Sequence, residues 1–298
     1  MMSFSFKIRG VIVPLVTPFN SGDEIDEGAM AGLCDWLIEK GVHGLMPCGT
    51  TGEGPLLSTS ERKRLLEVVL SAARGRTPVI AHVGAATTRE TIELAKHAAS
   101  TGIPAVSVVT PYYFPVTQNA MIEHFCRTAQ AVPDTAVFLY NIPSRTVNSF
   151  TRAGAEAVIE RCPNVLGVKD SSGSLESITS FIGLKQGQFQ VTCGSDNLIH
   201  KALQAGAVAA ITGNGNAIPE VVVKLFEAHW NGDHKKAAHQ QQVLDQVRNL
   251  LQNGKDLSLL KRAVDYRGLR GGMVRPPLLE FNPAEFEAIA AELKNIEF

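Results

Sequence analysis

A lysine ends an apolar run in residues 165–173, which read VLGVKDSSG. The first four of these residues have the character of a buried strand, and Lys169 follows them directly. Removing a lysine ammonium from water lowers its pKa and makes the neutral amine available as a nucleophile. Such an amine condenses with a ketone to form a Schiff base, an electron sink that stabilises an adjacent carbanion. The alternative is a structural lysine paired with Asp170 or Asp196.

Two hydroxyl groups follow another apolar run, in the segment CGTTGEG at residues 48–54. The glycines on either side allow backbone N–H groups and the hydroxyls of Thr50 and Thr51 to converge on a small anion such as a carboxylate. The segment lacks the GK[ST] ending of a nucleotide-binding loop, so a nucleotide phosphate is not expected. A turn without a ligand is the alternative.

Two phenols and one guanidinium also follow apolar runs, namely Tyr113, Tyr140 and Arg145. A phenol beside an imine-forming lysine can shuttle protons among amine, carbinolamine and water. The alternative for a tyrosine is packing of the ring with the hydroxyl facing water. Arg145, in YNIPSRT, could bind a carboxylate through two parallel hydrogen bonds, or could form an ordinary surface ion pair.

The composition excludes several classes of partner. The chain has 298 residues, a net charge of −1, 45% hydrophobic residues and 19% charged residues, as in an ordinary soluble globular protein. No global positive field is available for nucleic acid or an anionic membrane, so we expect neither as a partner. The N-terminal sequence has no apolar signal segment, and no apolar stretch approaches about 20 residues. We therefore expect a cytoplasmic protein.

The cysteines and histidines do not indicate a metal or disulfide framework. The five cysteines are an odd number, widely scattered and without a CxxC pair, and the eight histidines are also dispersed. Free thiols in a reducing compartment are the expectation. No metal site and no bound cofactor are predicted.

Eight apolar runs alternate with amphipathic segments and predict the fold. Near-continuous apolarity is typical of strands that are buried on both faces of a parallel sheet. Eight such strand–helix units predict an α/β protein with a (β/α)8 TIM barrel. An open doubly wound sheet is the alternative, but no GxGxxG follows the first run. The runs span 11–19, 44–50, 78–83, 105–111, 136–142, 165–170, 189–196 and 207–214.

Only helical patterns follow residue 219. We interpret 1–231 as the barrel domain and 232–298 as a C-terminal helical subdomain. In such barrels the active site lies at the carboxyl ends of the strands. The candidate side chains named above all lie at those ends, whereas we expect the other lysines on solvated faces of helices and loops.

Five motifs in this order resemble those of the dihydrodipicolinate synthase/N-acetylneuraminate lyase family. They are GTTGE, TPYY, YNIPSRT, GVKD and GSD, and the likeness extends to RGGMVRPPL near the C-terminus. It covers nearly the whole chain. The resemblance implies a metal-free, class I Schiff-base enzyme without a cofactor, commonly a homotetramer built as a dimer of dimers.

The resemblance also implies roles for seven residues. Lys169 would form the imine with pyruvate or a related 2-oxo acid, and Tyr140 would shuttle the proton. Thr50 and Tyr113 would extend that relay, with Tyr113 reaching in from a neighbouring subunit. The remaining three would form the substrate site. Thr51 would hold the pyruvyl carboxylate together with Thr50, Arg145 would bind the second substrate, and Gly194 would line the pocket.

The second substrate is left open between branches of this family. Arg145 matches the arginine with which the synthases bind aspartate semialdehyde, which favours condensation of pyruvate with that aldehyde. The segment KDSSG differs from the KEATG-like segment of the lysine-pathway synthases. Its first two residues, KD, resemble those of some 2-keto-3-deoxy sugar-acid aldolases and dehydratases. The segment GEGPLLSTSER lacks the residues expected for feedback lysine, so weak or absent lysine inhibition is predicted. A third alternative is an inactive protein that only binds a small oxo acid.

Overall fold

The computed structural model describes residues 6–298, so residues 1–5 of the predicted barrel domain lie outside the described residues. Within them, each of the eight apolar runs corresponds to one strand, and β1 begins one residue before its run. The strands are β1 (Gly10–Pro14), β2 (Gly44–Met46), β3 (Ile80–His82), β4 (Ala105–Val109), β5 (Ala136–Asn141), β6 (Val165–Asp170), β7 (Gln190–Cys193) and β8 (Ala209–Ile211).

In the described residues the helices are α1 (Glu27–Glu39), α2 (Thr59–Ala73), α3 (Thr88–Ser100), α4 (Gln118–Ala131), α5 (Pro143–Thr146), α6 (Arg152–Arg161), α7 (Leu175–Ser180), α8 (Ile199–Gln204), α9 (Pro219–Trp230), α10 (His234–Leu250), α11 (Leu257–Tyr266) and α12 (Pro283–Leu293). Helices α1 to α8 lie between these strands, and α9 to α12 follow β8. None of the helices within 6–298 is long and apolar enough to cross a membrane.

The regular alternation of strand and helix confirms the predicted (β/α)8 barrel with C-terminal helices. The chain comprises two compact units. In the unit formed by residues 6–9 and 79–211, strands β3 to β8 pair in parallel in chain order. In the unit formed by residues 10–78 and 212–298, β1 and β2 pair in parallel and the C-terminal helices follow α9. The proposed boundary between residues 231 and 232 stays a prediction.

Burial explains why the strands carry apolar residues almost without interruption. All residues of β4, β5 and β6 are buried, including Lys169 near the end of β6. A strand covered on both faces has no solvent side on which polar residues could alternate. A charged residue in such a strand therefore needs a local explanation.

Capping residues fix where two of the predicted helices begin. The Ser58 side chain accepts a hydrogen bond from the Glu61 backbone, and the Glu61 side chain accepts one from the Ser58 backbone. The Thr87 side chain likewise accepts from the backbone of Glu90 at the start of α3. Both groups satisfy amides that would otherwise lack partners in the first helical turn.

Substitution Ser58→Ala is expected to lower the free energy of unfolding by about 1 kcal/mol, because the capping hydroxyl is lost. Chemical denaturation measures this change. Ser71→Ala is the control, since Ser71 is an exposed residue inside the same helix and alanine is the better helix former there. Equal stability of Ser58→Ala and wild type would contradict the capping role.

Candidate active site

Lys169 lies in register between two buried neighbours at the carboxyl end of the sheet. It is opposite Tyr140 on β5 and Thr192 on β7. Only 5% of the lysine is exposed, and its Nζ lies 3.9 Å from the centroid of the Tyr140 ring. The electron-rich face of a phenol attracts an ammonium group at this distance. The structure therefore brings together the predicted nucleophile and the predicted proton shuttle.

Tyr140 is itself held by its surroundings. It is 2% exposed, and its ring meets the His82 ring edge to face, with the centroids 5.8 Å apart. Such edge-to-face contacts fix the plane of a ring as well as its position. The face that Tyr140 presents to Lys169 is thus set by β3, the strand that carries His82, as well as by β5.

Asp170, the residue after Lys169, ties the ends of three strands together. Its buried carboxylate accepts hydrogen bonds from the amide of Asn141 on β5 and from the hydroxyls of Ser172 and Ser177. Its backbone carbonyl accepts a hydrogen bond of 2.7 Å from the Gly194 backbone, just after β7. Neutral donors satisfy this carboxylate, as burial of a charge requires. Asp170 therefore secures the strand ends that carry Tyr140, Lys169 and Gly194.

Gly194 leaves space beside Lys169. A Cβ at this position would lie 3.0 Å from Cε of Lys169 and 1.9 Å from Oγ of Ser171. Among residues 6–298, no hydrogen-bond partner faces this buried Ser171 hydroxyl. A buried hydroxyl without a partner costs free energy, so a group that enters the space beside Gly194 would find an available donor and acceptor.

Arg145 is positioned by a short helix at the end of β5. The helix is closed by hydrogen bonds from the Arg145 backbone and the Thr146 hydroxyl to the carbonyl of Ile142, and Thr110 after β4 donates to the Thr146 hydroxyl over 2.9 Å. The arginine is exposed. The backbone is therefore fixed by neighbouring loops, while the guanidinium is presented to solvent.

Tyr113 projects outward from the loop after β4. It is 81% exposed, has a φ of 78°, and contacts only the edge of the exposed Phe114 ring among the rings described. The amide of Asn148 donates to the carbonyls of Pro111 and Phe114 on either side of it. A positive φ is unfavourable for a residue with a bulky side chain. The loop is thus fixed in a conformation that presents Tyr113 to its exterior.

Thr50 and Thr51 lie in the other compact unit, in the turn after β2. Backbone hydrogen bonds from Gly52 and from residues 53 and 54 close this turn, and the Thr17 hydroxyl donates to the Gly52 carbonyl over 2.7 Å. Gly213 approaches the turn closely, since a Cβ there would lie 3.4 Å from Oγ1 of Thr51. Both threonines are half-buried.

The expectation that the other lysines lie on solvated faces is wrong for Lys261. This residue of α11 is 1% exposed, and its Nζ lies 2.5 Å from Oε1 of the buried Glu53. Lys261 stands in LSLLKRAV with Val264 three residues further along, so helical periodicity alone could have indicated a buried lysine. No such signal indicated that its partner is the glutamate of the GTTGE turn.

The cysteines are free, buried thiols. Burial raises the pKa of Cys193, next to Gly194, to about 12, and that of Cys48 to about 11. Burial likewise raises the pKa values of the other three, Cys34, Cys126 and Cys162. Because the thiolate is the reactive form, these thiols are poor nucleophiles near neutral pH.

Curated proteins match this chain over almost its whole length. A curated relative from Halobacterium salinarum, named an uncharacterized DapA-like lyase, is 36% identical over 289 residues, 97% of this chain and 94% of the relative. The 4-hydroxy-tetrahydrodipicolinate synthase of Methanopyrus kandleri is 35% identical over 292 residues, 98% of this chain and 97% of that one.

A solved structure is similar over its full length. The crystal structure of YagE, a prophage protein of the dihydrodipicolinic acid synthase family from E. coli K12 in complex with pyruvate, superimposes with a TM-score of 0.92 and 31% identity. The match covers 97% of this chain and 98% of YagE. The protein is a lyase of the Schiff-base-forming type. It belongs to the dihydrodipicolinate synthetase family, whose model matches residues 7–296.

The native thiols are expected to react slowly with a thiol reagent at pH 8. A thiol with a pKa of about 12, such as Cys193, is about 10⁻⁴ ionised at that pH, against roughly a quarter for an ordinary thiol. Spectrophotometric titration measures the rate, and the protein unfolded in guanidinium should release all five thiols. Rapid reaction of one native thiol would contradict the burial described here.

Proposed function

We propose that the protein condenses pyruvate with L-aspartate-4-semialdehyde through an imine on Lys169, as a 4-hydroxy-tetrahydrodipicolinate synthase of lysine biosynthesis. The observation that carries this proposal is the buried amine of Lys169 held 3.9 Å from the Tyr140 ring. The YagE structure, a complex with pyruvate, supports the first substrate. The name of the Methanopyrus kandleri relative supports the reaction.

The chemistry follows from the residues at the strand ends. The Lys169 amine attacks the carbonyl carbon of pyruvate, and loss of water gives the imine. Removal of a methyl proton then gives an enamine, whose carbon attacks the aldehyde of the second substrate while the aldehyde oxygen takes up a proton. Attack of the product's own amino group, or of water, on the resulting imine carbon then breaks its bond to Lys169 and restores the free amine. Tyr140 transfers protons at the amine, the carbinolamine and the departing water. Thr50 and Thr51 bind the pyruvyl carboxylate, and Arg145 binds the carboxylate of the semialdehyde.

The loop around Tyr113 supports assembly of several copies. Tyr113, Phe114 and Val147 are 81%, 69% and 64% exposed, and Asn148 links the segments that carry them. Exposed apolar groups concentrated in this way are typical of a protein–protein contact. We propose that a second copy covers this cluster, that Tyr113 completes the partner's proton relay, and that the assembly is a cytoplasmic homotetramer, a compartment in which five free thiols are expected.

Lys169→Arg is expected to abolish both turnover and covalent trapping, because a guanidinium stays protonated near neutral pH. The measurement is mass spectrometry after borohydride reduction with pyruvate, which should add a pyruvyl group to Lys169 of the wild type alone. Steady-state rates with aspartate semialdehyde follow on the same sample. A wild-type protein without an adduct would favour the inactive oxo-acid binding protein, and substantial turnover in Lys169→Arg would place the nucleophile elsewhere.

The Ser171 hydroxyl favours one second candidate, a 2-keto-3-deoxy sugar-acid aldolase or dehydratase. This hydroxyl and Cε of Lys169 both border the space that Gly194 leaves open. A hydroxylated chain attached to Lys169 could supply the hydrogen bond that Ser171 lacks among the described residues. The imine mechanism would be the same, with Arg145 binding a different carboxylate.

Ser171→Ala distinguishes these two candidates on a panel of substrates. For the sugar-acid reaction, kcat/KM is expected to fall about 10-fold in the variant, the equivalent of one lost hydrogen bond. For pyruvate with aspartate semialdehyde it should stay within about 2-fold of wild type, which makes each substrate the control for the other. Fast wild-type turnover of the semialdehyde, and none of the sugar acids, rejects the second candidate.

A further inference from the structure

The glutamate of the GTTGE turn is buried together with a lysine from α11. The Glu53 side chain is 0% exposed and that of Lys261 is 1% exposed, and their charged atoms lie 2.5 Å apart. The same ammonium donates to the carbonyls of Thr17, over 2.6 Å, and Met273, over 2.5 Å. The Lys261 ammonium is thus held by one ion pair and two hydrogen bonds to backbone carbonyls.

The second carboxylate oxygen of Glu53 is also bound by a residue of the C-terminal segment. Oε2 accepts a hydrogen bond of 2.8 Å from the Arg275 backbone. The Arg275 guanidinium in turn forms ion pairs of 2.8 Å with Asp23 and Glu61 and donates to the carbonyl of Leu56. Residues of the C-terminal segment therefore hold both oxygens of the turn glutamate.

The turn needs such an anchor because its backbone is strained. Glu53 has φ 56° and ψ 28°, which is the left-handed region that is unfavourable for most residues other than glycine. Gly54 packs so closely that a Cβ there would lie 2.0 Å from the carbonyl oxygen of Cys48. Thr17, whose carbonyl binds Lys261, donates through its hydroxyl to Gly52 of the same turn.

Stability alone does not account for this arrangement. Moving two charges out of water is costly, and a buried ion pair is often no more stabilising than apolar residues of similar volume. Desolvation lowers the pKa of Lys261, and the Glu53 carboxylate opposes that change. The pair does, however, bind the carbonyls of Thr17 and Met273 and the backbone N–H of Arg275, which apolar side chains could not do.

We infer that Glu53 and Lys261 are positioning residues that hold the turn in the one conformation in which Thr50 and Thr51 bind a substrate carboxylate. Thr50 and Thr51 precede Glu53 by three and two residues, and the Glu53 backbone closes the turn on the Thr50 carbonyl over 3.1 Å. The inference rests on the proposed function, in which that carboxylate belongs to pyruvate. It predicts a loss of substrate binding rather than of the chemical step.

The double variant Glu53→Gln/Lys261→Met removes both charges and leaves neither buried alone. The pyruvate concentration that gives half-maximal borohydride trapping on Lys169 is expected to rise 10- to 100-fold, and KM for pyruvate with it. The kcat at saturating pyruvate should fall by a smaller factor than the half-saturation concentration rises, because the turn acts mainly through binding of the carboxylate, while Thr50 also belongs to the proposed proton relay. Mass spectrometry and steady-state kinetics measure the two quantities.

Arg262→Met is the matched control. Arg262 is the next residue of α11 and forms an ion pair with Glu280 over 3.1 Å, so the variant also removes a charge pair from that helix. The pyruvate concentration that gives half-maximal trapping in Arg262→Met should equal that of the wild type. Thermal unfolding by circular dichroism verifies that each variant is folded.

Half-saturation within 2-fold of wild type in the folded double variant would overturn the inference, even if its melting temperature falls. Should that variant fail to fold, Glu53→Gln alone takes its place, because it keeps an acceptor for Arg275. The pyruvate concentration for half-maximal trapping is then expected to rise 3- to 10-fold. An unchanged concentration overturns the inference. A wild type that forms no adduct at all overturns the proposed function instead, and the inference with it.

Discussion

A cation in a strand that is covered on both faces is the constraint around which one unit of the protein is arranged. Lys169 has no solvent side to which its ammonium could turn, and the Tyr140 ring provides an electron-rich surface 3.9 Å away. His82 fixes that ring from β3, while Asp170 is satisfied by neutral donors. The Asp170 carboxylate thus joins the strand ends, and the Lys169 side chain lies against the Tyr140 ring.

The other unit contains a second buried lysine, Lys261, whose surroundings differ from those of Lys169. Lys261 forms an ion pair with Glu53 and donates to two backbone carbonyls, so it is a structural lysine in the sense first considered for Lys169. Lys261 is bound by carboxylate and carbonyl oxygens and anchors a backbone, whereas Lys169 lies against the face of the Tyr140 ring.

The residues proposed for the chemical steps and those proposed for recognition lie in different kinds of segment. Lys169 and Tyr140 lie on strands whose registers are fixed by the sheet. Arg145 lies in the short helix α5 and Tyr113 in the loop after β4, and Thr110 and Asn148 hold these two segments while both side chains are exposed. Residues in such surface segments can change substrate or partner without disturbing the core.

Local signals in the sequence were enough to predict eight buried strands that alternate with helices, because near-continuous apolar runs are local features of a chain. They also indicated Lys169, the lysine near the end of an apolar strand. The burial of Lys261 with Glu53, and the hydrogen bond between Asn141 and Asp170, became evident in the folded structure alone. Both pairs join residues that are far apart in the chain, and such contacts depend on packing that no local pattern records.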